Sequence, residues 1–425
     1  MKNILIAIRS IFKKGRHNVM KIVSLGIGLA VGLVLIAKVY FEQSYDDFYP
    51  DRDRVYQVWA KYQQKGGELK DYPQTSGGIA PTMQQQIPEI ETVTRYTSFG
   101  DWTFTMTDTK MKYSGRCIIA DSCFFDILPR PMLIGNAKEV LSTPMYVLIS
   151  SRIAKNIGGD VIGKNFTVDN SPGRTMTIGG VFEEVPENSH SRYDVIVSMA
   201  SAGRFMWEGS PTNMLGNDRY ISYVKLHKGV NPLALEEQVR TFVNSYFPPE
   251  EQQKVGLSID FSFHKLDNLH KELPQVKRMT WILSLLAFAL IFTAVMNYIL
   301  IVISSIVNRS KEVAVHKCYG ASENNIHGMM FGEALVHIVL SLILALLLIL
   351  AFRGTVEELL ATSLDSLLLS NGSLVLLGIC ILVFFVSGFM PGSLYARIPV
   401  ASAFRNYREL SLIHISEPTR RTPIS

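Results

Sequence analysis

The chain has 425 residues, 48% of them hydrophobic, with 42 Lys and Arg against 37 Asp and Glu and a formal net charge of +5. This is too apolar for an ordinary soluble protein and too polar for one lying wholly in a bilayer, so a mixed membrane and soluble architecture follows. Four cysteines exclude a disulfide scaffold, and the small positive balance collects in segments expected inside the cell, so membrane topology explains it without a nucleic-acid partner.

Residues 1–21 read as a basic amphipathic cytoplasmic segment with Lys2, Arg9, Lys13, Lys14, Arg16 and Lys21 and no acid. The apolar run 22–41 is long enough for a first spanning helix, and the positive-inside rule puts the N-terminus in the cytoplasm. It reads as an uncleaved anchor, because Lys38, Val39, Tyr40 and Phe41 stand where a signal peptide needs small residues. Lys38 is expected to snorkel to the outer interface.

Residues 42–275 then lie outside, enough chain for a sizeable core. Runs 93–96, 146–149, 175–182 and 195–197 read as strands, while 79–86 and 233–246 carry helical spacing, giving an α+β domain. Gly158 to Asn165 matches a phosphate-loop spacing up to its last position, where Asn165 lacks the hydroxyl that Mg²⁺ requires, so a turn between elements is expected. Residues 183–190 hold acids and His190, but Pro186, Asn188 and Ser189 make a solvated turn the expectation. His264 and His270 fit no zinc spacing and read as loop or surface histidines. Cys117 and Cys123 are external and could be oxidised. No nucleophile elbow, HExxH or CxxC pair is present, so the sequence offers no catalytic residue, no metal ligands and no cofactor site.

Three further spanning helices are expected at 279–307, 329–352 and 372–390, giving a membrane α-helical protein of four transmembrane helices with the α+β domain inserted between helices 1 and 2. Asn297 lies mid-span and is expected to face other helices, since an unpaired amide in lipid is costly. Glu333 and His337 are four apart and share a helix face near the cytoplasmic start of helix 3, which suggests an interfacial pair or a contact with the preceding loop. The 353–371 connection has Arg353 against Glu357, Glu358 and Asp365, and so lies outside; the 391–409 exit, with Arg397, Arg405 and Arg408, lies inside.

Between helices 2 and 3, the charged cytoplasmic loop 308–328 is the place where a soluble partner can reach the protein. Arg309, Lys311, Glu312, Val313, Ala314, Val315, Lys317, Gly320, Ala321 and Ser322 fit the pattern R-x-K-E-[IV]-[AG]-[IV]-x-K-x-x-G-A-S in order. With the runs at 41–48, 53–58, 120–127 and 180–190, the Ile162-Gly163-Lys164 turn and the exit at 390–405, this resembles the FtsX/MacB-like ABC transporter permeases, in the long form common in Bacteroidetes-type bacteria. The likeness runs to about Arg408. His316, Cys318 and Tyr319 depart from the family's more usual Arg and Ala-Leu or Val-Met, which bears on partner specificity.

The resemblance implies a non-catalytic permease subunit of an inner membrane, needing no cofactor of its own, with membrane lipid around it and a cytoplasmic ABC ATPase bound at 309–322. Lys311, Glu312 and Lys317 would contact the ATPase, and Gly320 would permit a turn before Ala321 and Ser322 begin helix 3. ATP-driven dimerisation of the ATPase would then move a periplasmic domain, as mechanotransmission or efflux. An alternative is a membrane-anchored sensor or scaffold that regulates an envelope enzyme without transport. Residues 410–425 resemble the translation of a sequencing adapter, so a truncated N-terminal half is expected, its second permease half lying in the same full-length chain; a genuine half-transporter that forms a homodimer is the other reading.

Overall fold

The computed structural model describes residues 18–169, 171–304, 315–316, 318–368, 375, 378–383 and 386, which fall into two compact units, one formed by the described residues up to 41 and from 277 on, and the other by those of 42–276.

In the first unit, the described residues carry three helices long and apolar enough to cross a membrane, Asn18–Gln43, Pro274–Ser304 and Asn324–Ala351. The second has 31 residues and so reaches about 46 Å, well beyond the ~30 Å of a hydrocarbon core. Their apolar residues are not confined to one stripe. Leu25, Leu29, Val295, Tyr298, Ile299, Ile338 and Ile349 form a buried seam, while Val31, Leu285, Phe288, Phe292, Leu346 and Leu347 stay exposed. A helix apolar all round suits a solvent that is itself apolar. The expected fourth span lies mostly outside the described residues; 375, 378–383 and 386 are helical, and Val383 joins the seam.

Without a hydrophobic drive between helices in lipid, close approach of backbones holds such a bundle together. Gly28 and Gly32 of the first helix provide it. A Cβ at Gly28 would sit 2.2 Å from the Ala294 Cβ, and one at Gly32 would sit 2.4 Å from Ile291 Cγ1. Ser341 of the third helix donates from Oγ to the Ile22 carbonyl at 3.1 Å. Lys38 does not snorkel as its position suggested. It is 7% exposed and donates to Thr362 Oγ1 at 2.8 Å, which keeps the ammonium solvated by protein instead of by headgroups.

The second unit is built on an eleven-stranded mixed sheet: β1 (Val55–Gln64), β2 (Leu69–Tyr72), β3 (Ile90–Met106), β4 (Lys112–Ala120), β5 (Met132–Ile134), β6 (Tyr146–Ser150), β7 (Asn165–Val168), β8 (Ser171–Phe182), β9 (Val195–Ser198), β10 (Ile221–Leu226) and β11 (Leu257–Lys265). The order is β11-β1-β10-β3-β4-β9-β6-β8-β5, with β2 added to β1, and β7 to β3 and β8. Among the described residues, parallel pairs occur between β4 and β9 and between β6 and β8, and the other pairings are antiparallel. Helices Ile79–Gln86 and Glu236–Tyr246 cover the β1, β10 and β11 end, where Ile79, Met83, Val239 and Phe242 meet Val58, Val224, Ile259 and Phe261. A second core of Phe104, Ile119, Ile149, Phe166, Ile178 and Val197 fills the β4, β6 and β8 end.

The strand-like and helical runs read from the sequence fall inside elements of the expected type, except for the start of 233–246. Residues 232–235 form a 3-10 turn before Glu236–Tyr246, so that helix starts later than its apolar spacing suggested. The phosphate-loop look-alike is a turn: helix Ser151–Ile157 ends at Gly158, β7 follows, and Gly158, Gly159 and Gly163 all have positive φ. Cys117 and Cys123 are free thiols, the first buried on β4.

The Gly28 contact generates a direct test. Gly28→Leu cannot be seated without separating the first two membrane helices, so the full chain in uncharged detergent should unfold at clearly lower temperature, whereas Val31→Leu, on an exposed face, should leave the midpoint unchanged.

Candidate functional site

The segment 315–322 is described apart from Lys317, while Arg309, Lys311, Glu312 and Lys317 lie outside the described residues. Gly320 sits at φ +84°, a backbone conformation that L side chains seldom adopt, and is exposed. The Ala321 amide donates to the His316 carbonyl at 3.0 Å, which closes the turn. Ser322 is extended, and its side chain accepts from the Asn325 amide as the N-cap of helix Glu323–Ala351. Val315, His316, Cys318 and Tyr319 are exposed, Tyr319 by 88%.

The polar residues within the spans divide. His337 is 1% exposed, and its Nδ1 lies 3.3 Å from the Tyr298 hydroxyl, joining the second and third helices. Glu333, one turn earlier, is 6% exposed. Both therefore sit inside the bundle, where His337 meets Tyr298 of the neighbouring helix. Asn297 lies off the described seam. It is exposed and has no hydrogen-bond partner among the described residues, because the neighbouring positions Ala294, Val295, Tyr298 and Ile299 carry the buried face and helical rotation points Asn297 away from it.

The densest polar structure is the neck, residues 42–54, through which the chain passes from the first membrane helix into β1. Glu42 pairs with His270 Nε2. Tyr45 stacks on the His270 ring, centroids 3.7 Å apart at 10°, and meets His190 edge-on at 4.8 Å. Asp46 adopts φ +58°, a conformation that Asp tolerates better than most residues, and its side chain is 1% exposed. It accepts from Ser189 Oγ at 2.7 Å, from the His190 amide at 3.2 Å and from His190 Nδ1 at 2.5 Å. The Asn188 amide side chain donates to the Ser44 carbonyl at 2.7 Å, and the Asp46 amide donates to the Asn188 carbonyl at 2.9 Å. Asp47 receives Lys271 at 3.1 Å.

Further along, Asp51 receives Lys225 at 2.6 Å and Arg54 at 3.1 Å, while Arg54 also reaches Glu91 at 2.5 Å and the Leu226 carbonyl at 2.8 Å. Hydrogen bonding from Lys225 and then Arg54 holds the Asp51 carboxyl below the ordinary range, against a smaller effect of burial, and the Arg54 guanidinium does the same to Glu91. Burial is the main cause that pushes the Tyr45 and Tyr49 phenols up, so both stay neutral.

The neck corrects two sequence readings. Of the 183–190 run, Glu183, Glu184 and Pro186 are exposed as a solvated turn would have them, but Ser189 is 4% exposed and His190 is held by Asp46. His270 is no surface histidine, because Glu42 and Tyr45 enclose it. Both were missed because their partners lie 144 and 228 positions away in sequence. No group of three or more metal-ligating side chains occurs among the described residues.

Residues 20–242 match the family model of the MacB-like periplasmic core domain, and 284–400 match the FtsX-like permease C-terminal model. Among solved structures, the chain is similar to a domain described as that of a permease protein from Porphyromonas gingivalis, at 33% identity and TM-score 0.47, covering 51% of this chain and 91% of that one. It is also similar to the periplasmic region of MacB from Actinobacillus actinomycetemcomitans, at 15% identity and TM-score 0.35, covering 51% and 91%. The extracellular domain of the noncanonic ABC-type transporter YknZ from Gram-positive bacteria matches at 12% identity and TM-score 0.33, covering 49% and 98%. No curated protein sequence matches the chain.

Two measurements probe the neck. Asp46→Ala removes a buried acceptor and places alanine at positive φ, and should cost about 2–4 kcal/mol of stability, read by chemical unfolding of the full chain. Because the folded pKa values of Asp51 and Glu91 are lowered, their stabilisation is complete above the ordinary carboxylate value of about 4 and is lost as pH falls through the lowered values. Lys225→Met should therefore move the acid-unfolding midpoint, followed by tryptophan fluorescence, to higher pH.

Proposed function

Because the chain belongs to the FtsX/MacB-like ABC transporter permeases, we propose that it is a non-catalytic, multi-pass subunit of a bacterial inner membrane, with residues 42–276 in the periplasm. In this reading a separate cytoplasmic ATPase docks on 309–322, where Arg309, Lys311, Glu312 and Lys317 offer charge and Gly320, Ala321 and Ser322 form the turn and cap that open the third helix. Movement of that turn passes into the helical bundle and from the first and second helices into the periplasmic domain. The output is mechanical transmission or extrusion of a substrate that never crosses a lumen.

The observation that carries the reading is the pairing of the two strands through which the chain continues from and toward the membrane. The first helix ends at Gln43 and β1 begins at Val55; β11 ends at Lys265 and the second helix begins at Pro274. β1 and β11 are antiparallel neighbours from Tyr56↔Lys265 to Gln64↔Leu257. The neck adds Glu42 to His270 and Asp47 to Lys271, cross-links between the chain leaving the first helix and the chain approaching the second. Two covalent connections so clamped deliver helix displacement to one sheet edge.

Asn297 supports a further part of the proposal. An exposed amide among lipid-facing residues is costly, so this face is best covered by a second permease half, in the same polypeptide or from a second copy. The full-length Glu312→Ala/Gly320→Val variant, reconstituted with its ATPase, should insert normally and lose permease-dependent stimulation of ATP hydrolysis by at least about tenfold. Wild-type stimulation in that variant would overturn the docking assignment.

A further inference from the structure

A cavity of about 420 Å³ in the 42–276 unit is walled by arginines from four separate places in the chain: Arg116 on β4, Arg130 after the short helix Phe124–Ile127, Arg152 on helix Ser151–Ile157, and Arg192 before β9. Their positions in sequence give no pattern, and the transmission reading makes no use of them.

The four are not equally compensated. Arg152 is engaged, with Nη2 2.5 Å from Asp194 and Nε 3.3 Å from Glu184. Asp194 is also occupied by the Arg116 amide at 2.8 Å and the Ser150 hydroxyl at 3.4 Å. The side chains of Arg116 and Arg192 are exposed and make no ion pair among the described residues. Glu187 is the remaining acid of the wall, so four guanidinium groups face three carboxylates.

Arg130 is the unusual member. It is 6% exposed; its Nε and Nη2 are buried and have no hydrogen-bond partner among the described residues, while the guanidinium also interacts with the Tyr49 phenol. Its guanidinium lies over the rings of Phe182 at 5.3 Å and Phe125 at 6.0 Å. The polar groups beneath it are the phenols of Tyr49 and Tyr193, both kept neutral because burial pushes their pKa up. Burial is also the main cause that lowers the Arg130 pKa. A buried cation with two unsatisfied donors and no ion pair among the described residues is costly to maintain.

We propose that this cavity binds a phosphate-type anion, held by Arg130 from below and by Arg116 and Arg192 from the rim, with Arg152 fixed by Asp194 and Glu184 as the side wall. A single carboxylate satisfies one guanidinium fork, whereas a tetrahedral phosphate turns oxygens toward guanidinium groups arriving from different elements. The excess of one positive charge in the wall also favours an anion. A free phosphate and the phosphodiester of a lipid headgroup share non-bridging oxygens that accept from guanidinium groups.

The test uses the full chain in uncharged detergent, titrated calorimetrically with inorganic phosphate at constant ionic strength set by chloride. Saturable binding is expected, weakened about tenfold for each arginine lost in Arg116→Ala and Arg192→Ala, since charge-assisted hydrogen bonds are removed. These two positions are exposed, so the result stands even if Arg130→Gln fails to fold. Repeating the titration in nanodiscs of phosphatidylcholine and of phosphatidylglycerol separates the sources: phosphate binding in both discs identifies a free anion, and binding abolished only by phosphatidylglycerol identifies a headgroup. Absence of saturable phosphate binding in detergent, or equal affinity in the wild type and the Arg116→Ala/Arg192→Ala variant, would overturn the proposal.

Discussion

The constraint on which the rest depends is the ladder between β1 and β11. The chain leaves one membrane helix, makes a large sheet domain, and comes back beside its own starting strand before the next membrane helix. Everything between them, from β2 to the helix at Pro249–Val255, is an excursion from a closed base. Because these strands are antiparallel neighbours, each hydrogen-bond rung resists separation of the two chain crossings, and the insertion can be long without loosening the attachment.

Ionic side chains refine that base more than they stabilise it. Pairs such as Asp47 with Lys271 are partly exposed, where the net gain of an ion pair is small. Asp46 differs: its side chain is buried, and it is satisfied by donors from a loop 143 and 144 residues distant, so it fixes the register of the neck against the 188–191 segment. Most of the stability of the 42–276 unit resides in its apolar cores, in which Phe104, Phe166, Phe242 and Tyr223 are almost wholly buried. The neck therefore governs geometry, and the cores supply cohesion.

Helix Ile79–Gln86 could be read locally because Ile79, Ala80 and Met83 make one buried face. The short strand 146–149 announced itself as a β-rich run buried in the sheet. β11 alternates Leu257, Ile259, Phe261 and Phe263, a signal present in the sequence and passed over beside the polar His264 and Asp260. β3 is harder, because its seventeen residues include Thr, Ser and Gly and shift register between Ser98 and Gly100. The charged pattern at 309–322 stands out in the sequence because it is contiguous, and the structure describes 315, 316 and 318–322 of it. The neck and the arginine cavity do not stand out, because their members come from turns and strands far apart and no local period links them. Lys38 shows a related limit, since a lysine near a span end has two ways to stay solvated and only the fold reveals that Thr362 is present.

The Gly28 and Gly32 contact has a mechanical consequence. Where Gly28 and Gly32 let Ala294 and Ile291 seat directly on the first helix, few side-chain atoms lie between the two backbones, so relative sliding meets an early steric stop while rotation about the contact remains open. The crossing then acts as a fulcrum. Small angular changes at one end of the helix pair become larger excursions at the other, in proportion to the lengths on either side, and the 31-residue helix from Pro274 to Ser304 provides the longer arm.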